Sequence, residues 1–197
     1  MIHSLKGILT EKQTNSFAVE IGLPGQGGVS FLVKSSQNVV KSLPETGSLV
    51  KVFTYLHVRE DALELYGFLN KEELSLFEML IGISGIGPKS ALGILGVESP
   101  EKIRAAIAEG RAELLTKASG VGRKTADRII LELRNKMVQA GSEKIVGIME
   151  SDYDLAEALV NLGYTRTQVK TALSKVSPKT VKLEDRLKEA LKFLKNV

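Results

Sequence analysis

The residues of this chain that could do chemistry occur in two copies of one short pattern. Residues 84–91 read Ser-Gly-Ile-Gly-Pro-Lys-Ser-Ala, and residues 119–126, 35 positions later, read Ser-Gly-Val-Gly-Arg-Lys-Thr-Ala. Each copy predicts a helix, a tight Gly-x-Gly turn and a second helix, which together leave backbone N–H groups and a helix N-terminus exposed at one spot. Such a spot binds an anion of the size of phosphate.

Either copy alone could also be a plain connection between helices, in which glycine supplies a positive φ and nothing binds. Because the spacing, the basic residue and the small hydroxyl residue are all repeated, we favour a paired contact with a nucleic-acid backbone. The predicted DNA-binding residues lie in the two turns and at the helix starts that follow them: Gly85, Ile86, Gly87, Pro88, Lys89, Ser90, Gly120, Val121, Gly122, Arg123, Lys124 and Thr125.

Two enzymatic interpretations of these glycines fail. A P-loop for ATP is excluded in the first copy because Pro88 separates the last glycine from Lys89 and a helix, not a strand, is predicted before the loop. The second copy resembles the hairpin of DNA glycosylases of the endonuclease III type, whose lysine at the position of Lys124 is a Schiff-base nucleophile. That family needs an aspartate about twenty residues further on, and residues 128–151 contain none. We therefore expect a non-catalytic protein.

Composition narrows the class of protein. The 197 residues carry a net charge of +4, and no cysteine and only two histidines are present. Disulfides, iron–sulfur clusters and thiolate zinc sites are excluded, and we expect no metal or cofactor. No apolar run is long enough to span a bilayer and the N-terminus does not resemble a signal peptide, so we expect a cytoplasmic protein.

Positive charge is concentrated around the second copy of the pattern. Six basic side chains there outnumber the two acidic ones, Asp127 and Glu132. The basic residues are Lys117, Arg123, Lys124, Arg128, Arg134 and Lys136. This stretch supports contact with a nucleic-acid backbone only weakly, because a mixed charged surface also serves solubility.

Residues 1–65 have the pattern of short strands. Phe17, Val19 and Ile21 alternate with smaller or polar residues, and a second alternating run extends from Val50 to Val58. Turn-forming residues separate the runs and no helical period intervenes. The segment therefore predicts a small barrel of the oligonucleotide-binding (OB) type, with an open antiparallel sandwich as the competing architecture.

Residues 66–138 have a helical period. Asn70 with Glu73 predicts a capped helix start, Ser99-Pro100 predicts another, and a long helix is expected over 123–138. Segments 71–96 and 111–137 are thus predicted to form a duplicated helix-hairpin-helix pair joined by one connecting helix. The overall class is α+β with several domains.

Two segments complete the prediction. Residues 139–150 lose the helical period and include glycine and serine, which indicates a flexible linker. Residues 151–197 predict three short helices, with Ser151 and Asp154 as a capping box, Gly163 as a C-cap and Thr165 as the next N-cap. Leu155, Leu159 and Leu162 are expected on one buried face, and the final helix is expected from about Leu183.

This order of barrel, paired hairpins, linker and small helical unit resembles the RuvA family of Holliday-junction-binding proteins over essentially the whole chain. The stretches that carry the resemblance are Glu-Lys-Gln at 11–13, His-Val-Arg-Glu-Asp-Ala at 57–62, Leu-Tyr-Gly-Phe at 65–68, Gly-Ile-Gly-Pro-Lys at 85–89, Gly-Arg-Lys-Thr-Ala at 122–126 and Leu-Gly-Tyr at 162–164. One departure is residues 25–31, which replace a compact Gly-Val-Gly-Tyr-like turn. The contacts that the family makes through that loop are therefore not carried over.

The resemblance implies a role for Glu60 and Asp61, which would form an acidic pin at the centre of a four-fold homotetramer, or of an octamer made of two. Taken without the resemblance, the same residues fit a solvated turn at the end of a strand. The resemblance also implies a hexameric ATPase partner, RuvB, which supplies the motor activity and engages the C-terminal unit, and it allows a junction resolvase as a further partner. Residues 162–164 could make that contact or belong to the core of their own unit, and we favour the core.

The function expected from these observations is sequence-independent binding of four-way DNA junctions, which holds them open for branch migration in recombination and repair. The alternative is a helical protein-interaction adaptor whose contact with DNA is incidental.

Overall fold

The computed structural model describes residues 2–22, 28–137, 142–177, 180 and 182–194. Five strands come first and eight helices follow within these residues. A further short helix lies between the third and fourth strands, so the expectation that no helix interrupts the strands of residues 1–65 is wrong. The strands are β1 (Ser4–Lys12), β2 (Ser16–Gly22), β3 (Gly28–Lys34), β4 (Leu49–Val58) and β5 (Leu63–Phe68). The helices are α1 (Gln37–Ser42), α2 (Lys71–Ile81), α3 (Pro88–Leu95), α4 (Pro100–Ala108), α5 (Ala112–Leu115), α6 (Arg123–Met137), α7 (Ser142–Asn161), α8 (Arg166–Lys175) and α9 (Leu183–Leu194).

The five strands close into a barrel in the order β1-β2-β3-β5-β4, with β4 paired back to β1. The predicted OB-type barrel is thus confirmed and the open sandwich is excluded. Alternate residues of β2 such as Phe17 and Val19 fill the interior. A Cβ on Gly67 would overlap the side chain of Val33, so the interior requires glycine there. Of the loop at 25–31, residues 28–31 belong to β3 and residues 25–27 lie outside the described part of the chain.

Among the pairings of the described residues, the seam between β3 and β5 is the shortest and the only parallel one. Only Val33↔Leu65 and Lys34↔Tyr66 are in register there. The Lys34 ammonium pairs with the Glu64 carboxylate across the seam, and the Tyr66 hydroxyl donates to the other Glu64 oxygen at 2.6 Å. Polar side chains therefore supplement two pairs of backbone contacts at this closure.

The helices of residues 71–137 form the predicted pair of helix-hairpin-helix units. Helices α2 and α3 make the first unit, α5 and α6 make the second, and α4 connects them. Asn70 caps α2 as expected, because its Oδ1 accepts from the Glu73 amide at 2.8 Å. Ser99 and Pro100 begin α4 as expected, although the Ser99 side chain makes no capping bond.

The barrel and the paired units share a packed interface. The ring of Phe77 in α2 lies 5.6 Å from that of Tyr55, 5.3 Å from that of Tyr66 and 4.9 Å from that of Phe68, measured between centroids. On the α1 side, the Asn38 amide donates to the Gly96 carbonyl at 2.9 Å. These contacts fix the strands that carry the predicted pin relative to the first hairpin.

The interpretation of residues 142–150 as linker is wrong, because they form the first half of the 20-residue helix α7. Val146 and Met149 are buried in the same core as the paired units. Arg111 Nη1 also lies 3.4 Å from Glu150 Oε1 at that interface. Ser151 is inside α7 and does not cap it. The predicted linker residues 139–141 and the predicted helix end at 138 lie outside the described residues.

The C-terminal unit packs the second half of α7 against α8 and α9. Gly163, with φ of +100°, follows α7, and Thr165 forms a capping box with Gln168 at the start of α8, both as predicted. Leu162 is 71% exposed, so its expected place in the core is wrong, whereas Tyr164 packs against the core. Leu162 lies past the last turn of α7, where the chain has already left the buried face.

A buried arginine holds this unit together. Arg186 of α9 is 2% exposed and donates to Asp152 Oδ1 at 2.5 and 2.9 Å and to the Thr180 carbonyl at 2.7 Å. Its charge is therefore paired and its donors are used. No helix within the described part of the chain meets the length and hydropathy that a bilayer span requires.

Candidate nucleic-acid interface

Both predicted turns are sharp bends that face solvent. Gly85 and Gly120 have φ of +85° and +81°, a conformation that costs other residues free energy. Gly87 and Gly122, the second glycines of each bend, are exposed as well. The backbone therefore requires glycine at positions 85 and 120, and the bends are accessible to a ligand.

The middle residue of each bend points inward. Ile86 and Val121 are each 5% exposed and belong to the core of the paired units. Their amides are also used internally, because the Ile86 N–H donates to the Ile83 carbonyl at 3.0 Å and the Val121 N–H to the Ala118 carbonyl at 3.1 Å. The side chains and amides of these two predicted contact residues are thus unavailable to DNA; they anchor the bends.

The amides at the start of the following helices have no acceptor among the residues that the structure describes. The Gly87 carbonyl accepts the Ala91 N–H at 3.1 Å, and the Gly122 carbonyl accepts the Ala126 N–H at 3.0 Å, so α3 and α6 begin at equivalent places. Among the described residues nothing accepts from the first-turn amides that precede these bonds: Lys89, Ser90, Lys124 and Thr125. Each bend therefore presents backbone donors and the positive end of a helix dipole to solvent.

The charged side chains divide into free and engaged groups. Lys89 and Lys124 are exposed and have no partner among the described residues. Arg123 is engaged, since its Nε lies 3.2 Å from Asp127 Oδ1 and its Nη1 lies 3.8 Å from Glu113 Oε2. The two lysines at the same position of the repeat are the cations most available to an anion.

Three other basic residues of the stretch around the second bend are also occupied within the protein. The Lys117 ammonium lies 3.7 Å from the ring centroid of Tyr153 on α7, and partial burial lowers the pKa of that ammonium despite nearby carboxylates. Arg134 Nε donates to the Ala108 carbonyl at 2.9 Å. The third is Arg128, which spans the two bends. The basic character of this stretch is therefore largely structural.

The two bends lie side by side and contact each other's units. Arg128 Nη1 on α6 donates to the Ser84 carbonyl at 2.8 Å. In the opposite direction, a Cβ placed on Gly93 of α3 would lie 3.1 Å from the Ser119 carbonyl. From the sequence, Arg128 counts only among the basic residues of this stretch and its contact with the first unit is not predicted, although the 35-residue repeat places it at the position equivalent to Gly93.

Glu60 and Asp61 occupy the tip of the hairpin between β4 and β5. The Arg59 amide donates to the Ala62 carbonyl at 2.9 Å to close the turn, and both carboxylates are exposed. Arg59 Nε lies 3.6 Å from Asp61 Oδ1, so one of the two charges has a nearby cation.

The strands below this tip are held by the Lys34, Glu64 and Tyr66 network. Hydrogen bonds from Lys34 and Tyr66 lower the pKa of the Glu64 carboxyl. Burial raises the pKa of the Tyr66 hydroxyl, and the Glu64 carboxylate raises it further. Glu64 therefore stays charged and Tyr66 stays protonated at neutral pH, which keeps the seam intact.

One cleft of about 510 Å³ runs from the base of that hairpin to the first bend. Its walls include His57 from β4 and Arg59 just past the end of that strand on one side, and Gly87 of the first bend and Pro88 at the start of α3 on the other. The acidic tip and the first bend therefore open onto the same side of the molecule. The part of the chain that the structure describes contains no cluster of three or more metal-ligating side chains.

Comparison with protein-family models covers nearly the whole chain. The RuvA N terminal domain matches residues 1–67, the SAM-like helix-hairpin-helix tandem matches residues 77–135, and the RuvA C-terminal domain matches residues 153–195.

Curated relatives match from end to end. Proteins named "Holliday junction branch migration complex subunit RuvA" are 42% identical in Dehalococcoides mccartyi over 100% of both chains and 37% identical in Acetivibrio thermocellus over 98% of both. The one in Caldanaerobacter subterraneus is 40% identical over 98% of this chain and 99% of its own.

Proposed function

Because this chain belongs to the RuvA family, we propose that it binds four-way DNA junctions by shape, independently of sequence, and holds them open for branch migration in recombination and repair. It acts as a non-catalytic DNA-binding subunit in the cytoplasm. The observation that carries the proposal is the pair of adjacent, solvent-facing glycine bends, each with first-turn amides and a lysine that have no partner within the described part of the chain.

The chemistry of the bends suits phosphate. Each offers backbone N–H donors at a helix N-terminus, a lysine at the second helical position and a small hydroxyl residue, Ser90 or Thr125, beside it. Contacts of this kind fix the position of a duplex and read no bases. Two adjacent bends grip one duplex arm at two places, and preference for a junction then comes from how several copies of the chain are arranged.

The acidic tip would act by repulsion. A carboxylate 6 Å from a phosphate repels it by about 0.7 kcal/mol at the dielectric constant of water and by about four times as much near a protein surface. Glu60 contributes fully, whereas Arg59 offsets part of the charge of Asp61. Repeated around a homotetramer, or an octamer of two tetramers, this repulsion would keep strands apart where the arms meet.

The parts of the chain divide this work. Residues 1–65 supply the barrel and the acidic pin, and residues 66–138 supply the DNA grip. Residues 151–197 form the unit that would engage a RuvB-type hexameric ATPase, in which the motor activity resides, and a junction resolvase is a further candidate partner. The exposed Leu162 at the end of α7 is available for a protein contact.

The decisive experiment is a gel-shift titration of a four-way junction and of a linear duplex with the same base composition, alongside the mass of the free protein in solution. The proposal expects tighter binding of the junction and a mass corresponding to four or eight chains. Equal affinity for both DNAs, or no binding of either, would contradict it and favour a helical adaptor for proteins.

A further inference from the structure

Beside the core that they share, the two helix-hairpin-helix units make a pair of reciprocal contacts near the bends. Residue 93 of α3 faces the carbonyl of Ser119, which precedes the second bend, and residue 128 of α6 faces the carbonyl of Ser84, which precedes the first. Since 93 plus 35 equals 128, these are the same position of the repeat. The chain therefore uses two different residues for one structural task.

The two contacts differ in kind. At Gly93 the absence of a side chain lets the backbone of α3 approach the second unit closely, with a built Cβ only 3.1 Å from the Ser119 carbonyl. At Arg128 the long side chain crosses to the first unit and donates from Nη1 at 2.8 Å. The same Nη1 lies 3.3 Å from where a Cβ on Gly85 would be, so the guanidinium rests against the first bend itself.

We infer that Arg128 is a positioning residue, which sets the separation of the two bends so that both reach one duplex at the same time. The inference rests on the proposed function, because it concerns the geometry of the two phosphate contacts. It differs from a direct phosphate contact by Arg128, since a donor of its guanidinium is already directed at the Ser84 carbonyl in the free protein.

The bond from Arg128 to the Ser84 carbonyl lies next to the first bend, so its loss would affect the position of that bend. The bend is anchored to the core by Ile86, while its outer residues Gly85 and Gly87 face solvent. Arg128 is the side chain from the second unit that bonds to this segment among the described residues. Without it, the first bend keeps its fold but is no longer held at a fixed distance from Gly120.

Arg134→Gln is a matched control for Arg128→Gln. Both arginines lie on α6 and both donate to a backbone carbonyl of another segment, at 2.8 Å for Arg128 and 2.9 Å for Arg134. The Arg134 contact goes to Ala108 at the end of α4, not to a bend. The two variants lose the same charge and the same type of hydrogen bond.

The first measurement is amide hydrogen exchange in the free full-length protein. Arg128→Gln is expected to speed exchange of the Ile86 amide by about fivefold, as expected when one hydrogen bond restraining local opening is lost. The Val121 amide in the second bend should be unaffected, and Arg134→Gln should change neither. Unchanged exchange at Ile86 in Arg128→Gln overturns the inference.

The second measurement is a double-mutant cycle on junction affinity with Lys89→Gln. If Arg128 acts by placing the first bend, its loss removes the Lys89 contact, so the two substitutions together cost no more than the larger of the two alone, about eightfold per protomer for one phosphate contact at 0.1 M salt. Losses that multiply identify Arg128 as an independent phosphate contact and refute positioning. If the wild-type protein fails to bind the junction, the proposed function fails, and the exchange experiment on the free protein still decides the role of Arg128.

Discussion

Replacing Lys89 and Lys124 by glutamine tests the phosphate grip directly. Both ammonium groups are exposed and unpaired among the described residues, so nothing within the protein compensates for their loss. Each phosphate contact by a cation contributes a slope of about −0.9 to the plot of log affinity against log salt concentration. The double substitution should therefore make the slope shallower by about 1.8 for every protomer on the DNA.

The same relation gives the affinity change. At 0.1 M salt one lost contact weakens binding by about eightfold, and two contacts on separate bends multiply to about sixty-fold per protomer. Arg123→Gln should cost clearly less than Lys124→Gln, although the residues are neighbours, because Arg123 must leave Asp127 and Glu113 before it can reach a phosphate. This contrast follows from the ion pairs and is not apparent from net charge.

Both the affinity and its salt dependence can be measured by fluorescence anisotropy of a labelled four-way junction. The titrations are run at several salt concentrations between about 0.05 and 0.3 M. Lys170→Gln is the control, because it removes an exposed lysine from α8, a helix that packs against α7 and α9 and carries neither bend. An unchanged slope in the double variant, or an equal loss in the Lys170 variant, would refute the assignment of Lys89 and Lys124 as the gripping cations.

Four further outcomes are expected. Gly120→Ala should weaken junction binding, because the φ of +81° costs an alanine about 1 to 2 kcal/mol and the second bend must distort to relieve that strain. Gly147→Ala in the middle of α7 should instead raise the free energy of unfolding by about 0.5 to 1 kcal/mol, because alanine favours a helix more than glycine does. Glu60→Gln with Asp61→Asn should leave junction affinity equal or higher while changing the rate of branch migration in a strand-exchange assay; loss of binding would contradict repulsion. The folded-state pKa of Glu64 is lowered from 4.5, so the ionised carboxylate stabilises the fold above that pH and this contribution is lost as the pH falls further. Glu64→Gln should therefore make the melting temperature fall less steeply with acidification. An unchanged slope of melting temperature against pH would argue against the seam network.

Local sequence signals predicted the parts of the fold that local physics determines. The Asn70 and Thr165 caps, the Gly163 helix end and the alternation that produces β2 all depend on residues within a few positions of one another. The two bends could be predicted for the same reason, since Gly85 and Gly120 must adopt a positive φ.

The predictions from sequence were wrong or incomplete where contacts between distant residues override the local preference for helix or loop. Gly147 lowers the helix propensity of its segment. Helix α7 forms there nevertheless, because Val146 and Met149 pack into the core of the paired units and this burial stabilises the helix. The roles of Arg123 and Arg128 were equally invisible, since their partners include residues that are ten and 44 positions away in the sequence. The inward orientation of Ile86 likewise depends on the core against which it packs.

The burial of Ile86 and Val121 has a consequence for how the protein recognises its ligand. Each bend is tied to the core at its midpoint, so its shape is fixed when the chain folds. Little conformational entropy remains to be lost when DNA arrives, and the donor array is preorganised. Two loosely tethered loops with the same lysines would bind more weakly for the same contacts, so rigidity here is itself a source of affinity.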